Sequence, residues 1–191
     1  MYGVPFSSAC RRMTPADVLA FWFNEATPAQ WWSKAAAFDR LIETRFGTLH
    51  AAASRGELYA WRSRADGRLA EVIVLDQFSR NIHRDRAAAF AADGMALVLA
   101  QEAVAAGLDG VLEPNRRAFL YLPYMHSESA LIHTLAVRLF AAPGLEANLE
   151  FELRHQAIIE RFGRYPHRNA VLGRQPTADE LEFLKTPGSA F

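Results

Sequence analysis

The sequence predicts an all-α fold, a single domain of about eight helices stacked as antiparallel hairpins. Three observations predict it. Helix-start signals recur along the chain, at Thr14-Pro15-Ala16-Asp17, Thr27-Pro28 and Thr177-x-x-Glu180; each puts a hydroxyl where it can accept from a first-turn amide. Apolar residues fall at helical spacing, as at Phe38, Leu41, Ile42, Phe46 and Leu49. The one strand-like run, Val72 to Leu75 within EVIVL, has no second candidate to pair with. One strand makes no sheet, so those residues are read as a buried helix, apolar nearly all round.

Taken in order, residues 1–12 read as an arm and residues 13–191 as the domain. Thr14 caps a first helix carrying Val18, Leu19, Phe21, Trp22 and Phe23, and Thr27-Pro28 starts a second with Trp31 and Trp32. The amphipathic helix from Phe38 continues through Ala53 and stops near Gly56. Residues 58–61 form a short helical turn, Asp66-Gly67 a turn, and Leu69 to Phe78 the buried helix. A long helix spans residues 87–106, with Gly107 as its C-cap glycine. Gly94 inside it is disfavoured against Ala, so close packing is expected there. Pro114 opens a helix through Tyr121 that Pro123 interrupts. Ser127 or Ser129 caps the next, which runs to Phe140. Pro143-Gly144 separates it from residues 145–162, closed by Gly163 and Pro166; residues 178–185 form the last. No clean repeat period is present.

The totals exclude several classes. At 191 residues with 51% apolar and 22% charged content, the chain is globular and has enough length for a sizeable core. Basic and acidic residues balance at 21 each, which gives no overall field for nucleic acid or acidic lipid. Lys34 and Lys185 are the only lysines; the remaining basic residues are arginine. Cys10 is the single cysteine, so neither an internal disulfide nor a thiolate zinc cluster can form. No run reaches transmembrane length and no signal-peptide core is present, so a cytoplasmic location is expected. Metal-ligand spacings, phosphate-cradling glycine loops and nucleophile elbows are absent too, and neither a metal nor a cofactor is expected.

Chemistry concentrates in three stretches. The first is LDQFSRNIHRDRAAAFAAD, from Leu75 to Asp93. Asp76 and Arg80 are four apart on a helix with the acid first, the favoured order for an ion pair. Gln77 and Asn81 lie one position along. Arg84 and Arg86 lie past the helix end, and His83 is expected to be exposed. In the second, YLPYMHSES, Tyr121 precedes Pro123, and His126-Ser127-Glu128 is placed at a helix start, where free amides favour anions; His126 with Glu128 resembles an acid–base pair. The third, RFGRYPHRN, extends to Arg174. Arg161, Arg164, Arg168 and Arg174 with His167 and Asn169 suit a carboxylate or phosphate clamp. The bland alternatives are a structural Asp76–Arg80 bridge, capping by Ser127 and Glu128, and arginines that complement a helix C-terminus. His155, on a face with Phe151, Ile158 and Phe162, reads as a core histidine.

These stretches together resemble one family, the uncharacterised bacterial proteins called domain of unknown function 924. The matching text is VLAFWF, FDRLIETRFG, GRLAEVIVLDQFSRNIHR with AFAAD, FLYLPYMHSE, RHQAIIERFGRYPHRNAVLGR and FLKTPGSAF. The resemblance implies an all-helical fold like degenerate tetratricopeptide repeats, and no established activity, substrate or cofactor. The chain departs from the family pattern at Ser129, where an acid is common, and at His133, where Gln is common; neither position is given a role.

The first functional expectation is a pocket that binds, and in an enzyme acts on, a small anionic molecule, phosphate or carboxylate. His126, Glu128 and His167 are its acid–base candidates. Asp76, Arg80, Asn81, Arg84, Tyr121, Arg161, Arg164, Arg168 and Asn169 are its binding candidates, with Arg80, His126, Glu128, Arg164 and His167 expected around one concavity. The second expectation is a helical-repeat module whose groove takes a peptide or protein partner, with Trp22, Trp31 and Trp32 as surface anchors. The third is a polar network with a purely structural role.

Overall fold

The computed structural model describes residues 13–189. The arm at residues 1–12, with Cys10, and the last two residues lie outside the described residues. Among the described residues every regular element is helical. Thr14 opens α1 (Pro15–Ala20), accepting from the Asp17 amide while the Asp17 carboxylate accepts the Thr14 N–H at 2.9 Å. α1 runs on through a π turn, Phe21–Glu25. Thr27 and Gln30 form a second reciprocal cap at α2 (Pro28–Trp32). α3 (Ala36–Ser54) ends two residues before Gly56, whose φ of 74° turns the chain.

The 3₁₀ turn Tyr59–Ser63 leads into the central rod: α4 (Ala65–Ile73), a π turn (Val74–Phe78) and α5 (Ser79–Ile82). Leu69, Ala70, Val72, Ile73, Val74 and Leu75 are fully buried because the rod has neighbours on every side: α1, α3, α6 and α7. This is the buried-helix expectation for EVIVL realised. Its cost is a fully buried Glu71, satisfied by two bonds from Arg62 at 2.7 and 2.8 Å. Trp22 packs edge-on against Phe78 and Phe119, so it is core and not a surface anchor.

The second half is sequential. A 3₁₀ turn (Ala87–Phe90) precedes α6 (Asp93–Ala105), followed by a 3₁₀ turn (Leu108–Val111), α7 (Pro114–Met125), α8 (Ala130–Phe140) and α9 (Glu146–Phe162). Neighbours in this series pack side by side. Gly107 and Gly163 take the positive φ expected of C-terminal glycines. The 3₁₀ turn Pro166–Arg168 and α10 (Ala178–Phe183), with the Thr177–Glu180 capping box, complete the chain.

Four local expectations are corrected. The single helix expected over residues 87–106 breaks at Ala91–Ala92, and α6 starts at Asp93. Pro123 does not interrupt α7: it sits within three residues of the helix end, where a missing N–H removes one bond only. Asp66-Gly67 is no turn but the first turn of α4, and Gly67 is needed for closeness, since a Cβ there would lie 1.9 Å from the Trp61 carbonyl oxygen. Gly94, expected to be tightly packed, has no atom within 4 Å of a Cβ position. The segment Ala87–Ala105 also has the length and mean hydropathy of a membrane span. It contains Asp93, bonded to arginine, and α6 packs one face against α4 and α7.

Candidate functional site

The π turn positions the first group. Its wider winding puts Asp76 and Gln77 in the core, both at least nine-tenths buried, and leaves the Asp76 carbonyl free to accept from Arg80 Nη1 at 3.0 Å. The Asp76 carboxylate then gathers three partners. His126 Nδ1 is 2.7 Å from Oδ1, Arg80 Nη1 3.1 Å from the same oxygen, and Gln77 Nε2 2.5 Å from Oδ2. Burial pushes this carboxyl up, but Arg80 and His126 outweigh it and hold it far below the usual range. It is therefore ionised and accepts the Nδ1–H of His126. That fixes the tautomer, with the Nε2 lone pair directed away from Asp76. Burial and the Arg80 charge push the His126 pKa down, so the ring is neutral at pH 7.

Arg80 also reaches across to α6, holding both oxygens of Asp93 at 2.9 and 3.1 Å. Arg168, from the turn after α9, touches the same carboxylate at only 3.4 Å. Its guanidinium is sandwiched between Phe90 and Tyr165 at 4.6 and 4.5 Å, and its Nε–H has no acceptor. Burial and the neighbouring Arg80 push its pKa below the ordinary guanidinium value. Glu128 is held by Arg174 at 2.6 and 3.0 Å and accepts the Tyr165 backbone N–H at 2.8 Å.

A cleft of about 340 Å³ opens beside this cluster. Its walls are Ala87, Phe90 and Ala91, the start of α6 (Asp93, Gly94, Leu97), Pro123 on α7, the turn His126–Glu128, and Arg168 with Leu172. His126 and Arg168 thus meet on one surface although they are far apart in sequence. His126 is the C-cap of α7 and not part of a helix start, so the amide-rich anion site expected around it is not formed. Ser129 occupies the N-cap of α8 without a side-chain bond. His126 and Glu128 do not pair with each other; their partners are Asp76 and Arg174.

The chain belongs to the bacterial DUF924 family. The family of bacterial proteins of unknown function matches over residues 18–188. A solved structure of a protein of unknown function from Agrobacterium tumefaciens is similar at 39% identity and a TM-score of 0.85, covering 90% of this chain and 96% of that one. No curated protein matches the sequence. Family membership and that likeness agree with the all-helical domain and carry no activity.

The other expected residues are placed as follows. His167 lies tilted against Tyr165 with ring centres 5.6 Å apart, and burial, with Arg168 nearby, pushes its pKa down to about 4. Asn81 and Arg84 face α3 instead, where both bond Asp39. Tyr121 bonds Asp109, and burial with that carboxylate pushes its pKa above the ordinary range. Arg161 and Arg164 pair with Asp179 and Glu180 on α10, so Arg164 does not join the concavity expected for it. Asn169 is buried beside Glu180. His83, expected to be exposed, is partly buried against His50.

Sequence reasoning missed Asp93, the carboxylate shared by Arg80 and Arg168. It also missed the Tyr165 hydroxyl, which donates to the Met125 carbonyl at 2.5 Å, and the His133–Glu152 pair behind it at 2.6 Å. Asp93 offered one signal, an acid opening a helix amid alanines. His133 offered a departure from the family pattern.

Proposed function

We propose that the cleft binds a small anionic molecule and that His126 serves it as acid and base. The observation that carries this reading is the meeting, on one cleft wall, of an under-used guanidinium and an oriented imidazole. Three carboxylates face three guanidiniums in the cluster, but the bonds are unevenly shared. Arg80 takes both Asp93 oxygens and Arg174 both Glu128 oxygens. Arg168 is left with one long contact and several donors. Moving a guanidinium out of water without acceptors is costly, and an anion that fills those donors recovers the cost. His126, neutral and held through Nδ1, presents the Nε2 lone pair as a proton acceptor. Burial pushes the Glu128 carboxyl up, but Arg174 outweighs it and holds the group ionised. Glu128 therefore shapes the wall and does not transfer protons. The expected compartment remains the cytoplasm.

The test is a thermal-shift series with inorganic phosphate and short carboxylates on the wild type, Arg168→Gln and His126→Gln. A ligand at about 100 times its dissociation constant adds about 2.7 kcal/mol. The wild type gains stability, Arg168→Gln loses that gain, and His126→Gln keeps most of it while losing any turnover. Equal shifts in wild type and Arg168→Gln would sink the proposal. The interaction-module alternative, with its tetratricopeptide-like groove, rests on Trp32, which is 63% exposed.

A further inference from the structure

The cleft is larger than a phosphate or acetate ion requires. At about 340 Å³ it has room for roughly ten waters, since a water takes about 30 Å³ in the liquid. Its walls also divide by chemistry. Phe90, Leu97, Pro123 and Leu172 with two alanines make an apolar part. The polar part has its acids already paired: Asp93 by Arg80 and Glu128 by Arg174. That leaves Arg168, His126 and Ser127 to meet a polar group. Arg168 lines the cleft with a side chain only 7% exposed and an Nε–H without an acceptor.

Gly94 supplies an independent observation. Glycine in a helix is disfavoured against alanine. Here no positive φ requires it and no neighbour lies within 4 Å of a Cβ position. Gly67 shows the contrast, since backbone crowding excludes any side chain there. Gly94 faces the cleft, so the consequence of a side chain at 94 is loss of cleft space.

We propose that the cleft accepts an amphiphilic monocarboxylate, its head on Arg168 and its aliphatic or aromatic body over Gly94 against Phe90, Leu97, Pro123 and Leu172. This rests on the anion-binding reading above and names the class of anion. A single guanidinium answers a single negative charge. A phosphate dianion would bring a second charge toward the Asp93 and Glu128 carboxylates on the same walls. A carboxylate matches the fork of one guanidinium and leaves its other end apolar.

The experiment is calorimetric titration of the full chain with acetate, butyrate, hexanoate and octanoate, with inorganic phosphate and 1-octanol as comparators. In the wild type, affinity rises about fourfold per methylene until the cleft is full. Arg168→Met weakens every acid. Gly94→Leu removes the gain from hexanoate onward. Gly94→Ala, checked by its melting curve, shortens the series less and serves if Gly94→Leu fails to fold. If acetate binds through Arg168 but longer chains add nothing, or both Gly94 variants keep the full gain, the amphiphile is overturned while the anion site stands. Phosphate binding more tightly than every acid has the same meaning. Octanol matching octanoate overturns the carboxylate head. If no acid and no phosphate binds, both readings fall.

Discussion

Two histidine–carboxylate pairs lie within this domain, and they are alike at one nitrogen and opposite at the other. His126 Nδ1 meets Asp76 at 2.7 Å, and His133 Nδ1 meets Glu152 at 2.6 Å. The second nitrogen of His133 is used up by the Ser127 carbonyl at 2.8 Å and the Tyr165 hydroxyl at 3.2 Å, and both His133 and Glu152 are fully buried. His126 is 16% exposed and lines the cleft. The acids differ as well. Asp76 is kept ionised by Arg80 and His126, whereas burial pushes Glu152 up with only His133 opposing. A histidine beside an acid is therefore no mark of chemistry by itself; what the other nitrogen faces separates a site from a strut.

The largest effect that can break this comparison is on stability. Removing His133 takes a partner from Glu152 and from the Ser127 carbonyl and opens a cavity in the core, so His133→Ala should cost about 3–5 kcal/mol in urea denaturation. His126→Ala should cost about 1–3 kcal/mol, because Asp76 keeps Arg80 and Gln77 and water can enter from the cleft. Asp76→Ala should approach the larger figure, since it strips Arg80 and His126 together. Arg84→Ala should cost about 1 kcal/mol, its side chain being 26% exposed at the protein surface. Equal losses for His126→Ala and His133→Ala would erase the distinction between the pairs.

Acid should separate the closed region from the open one more gently. His155, edge-on to Tyr165 at 5.7 Å and bonded to the Phe151 carbonyl, has its pKa pushed by burial down to about 3. An unfolded histidine titrates near 6.5. The unfolded chain thus takes up protons first as pH falls, and acid favours unfolding. The contribution of His155 is complete above about pH 6.5 and declines toward pH 3 by up to about 1.4 kcal/mol per unit. His155→Phe should flatten the decline of stability between pH 6 and pH 4 (roughly the window set by the reference pKa). An unchanged slope would show that His155 titrates freely in the folded state.

The smallest effect is the sharpest. The Ser127 carbonyl fixes a proton on His133 Nε2, so a neutral ring needs a donor at Nδ1. Burial pushes the Glu152 carboxyl toward its protonated form, which is such a donor, and Glu152→Gln supplies another of the same shape. Glu152→Gln should cost less than about 1 kcal/mol, while Asp76→Asn, which replaces an acceptor with a partial donor beside Arg80, should cost about 1–3 kcal/mol. The reverse order in chemical denaturation would mean that the His133 pair is ionised and the Asp76 pair is not.

Much of this was legible in the residues themselves. The Thr14, Thr27 and Thr177 caps and the glycines at 107 and 163 follow from contacts within a few residues, and the EVIVL helix from its apolar run and the lack of a strand to pair with. The Asp76–Arg80 pair does too, being one helical turn apart. Asp93 was hidden because its partners come from α5 and from the turn after α9, and no spacing rule joins them. Arg161 and Arg164 misled for the same reason: the acids that neutralise them lie on α10.

By itself, then, the sequence determined an all-helical chain, its helix ends and the three stretches dense in polar groups. These are set by local sterics, capping and periodicity, which act over one or two turns. Only the tertiary structure decided which polar groups share a carboxylate, which histidine faces a cleft and which glycine leaves space beside it. Those outcomes depend on how much water each group loses when distant helices pack, and that loss is written in no single stretch of the chain.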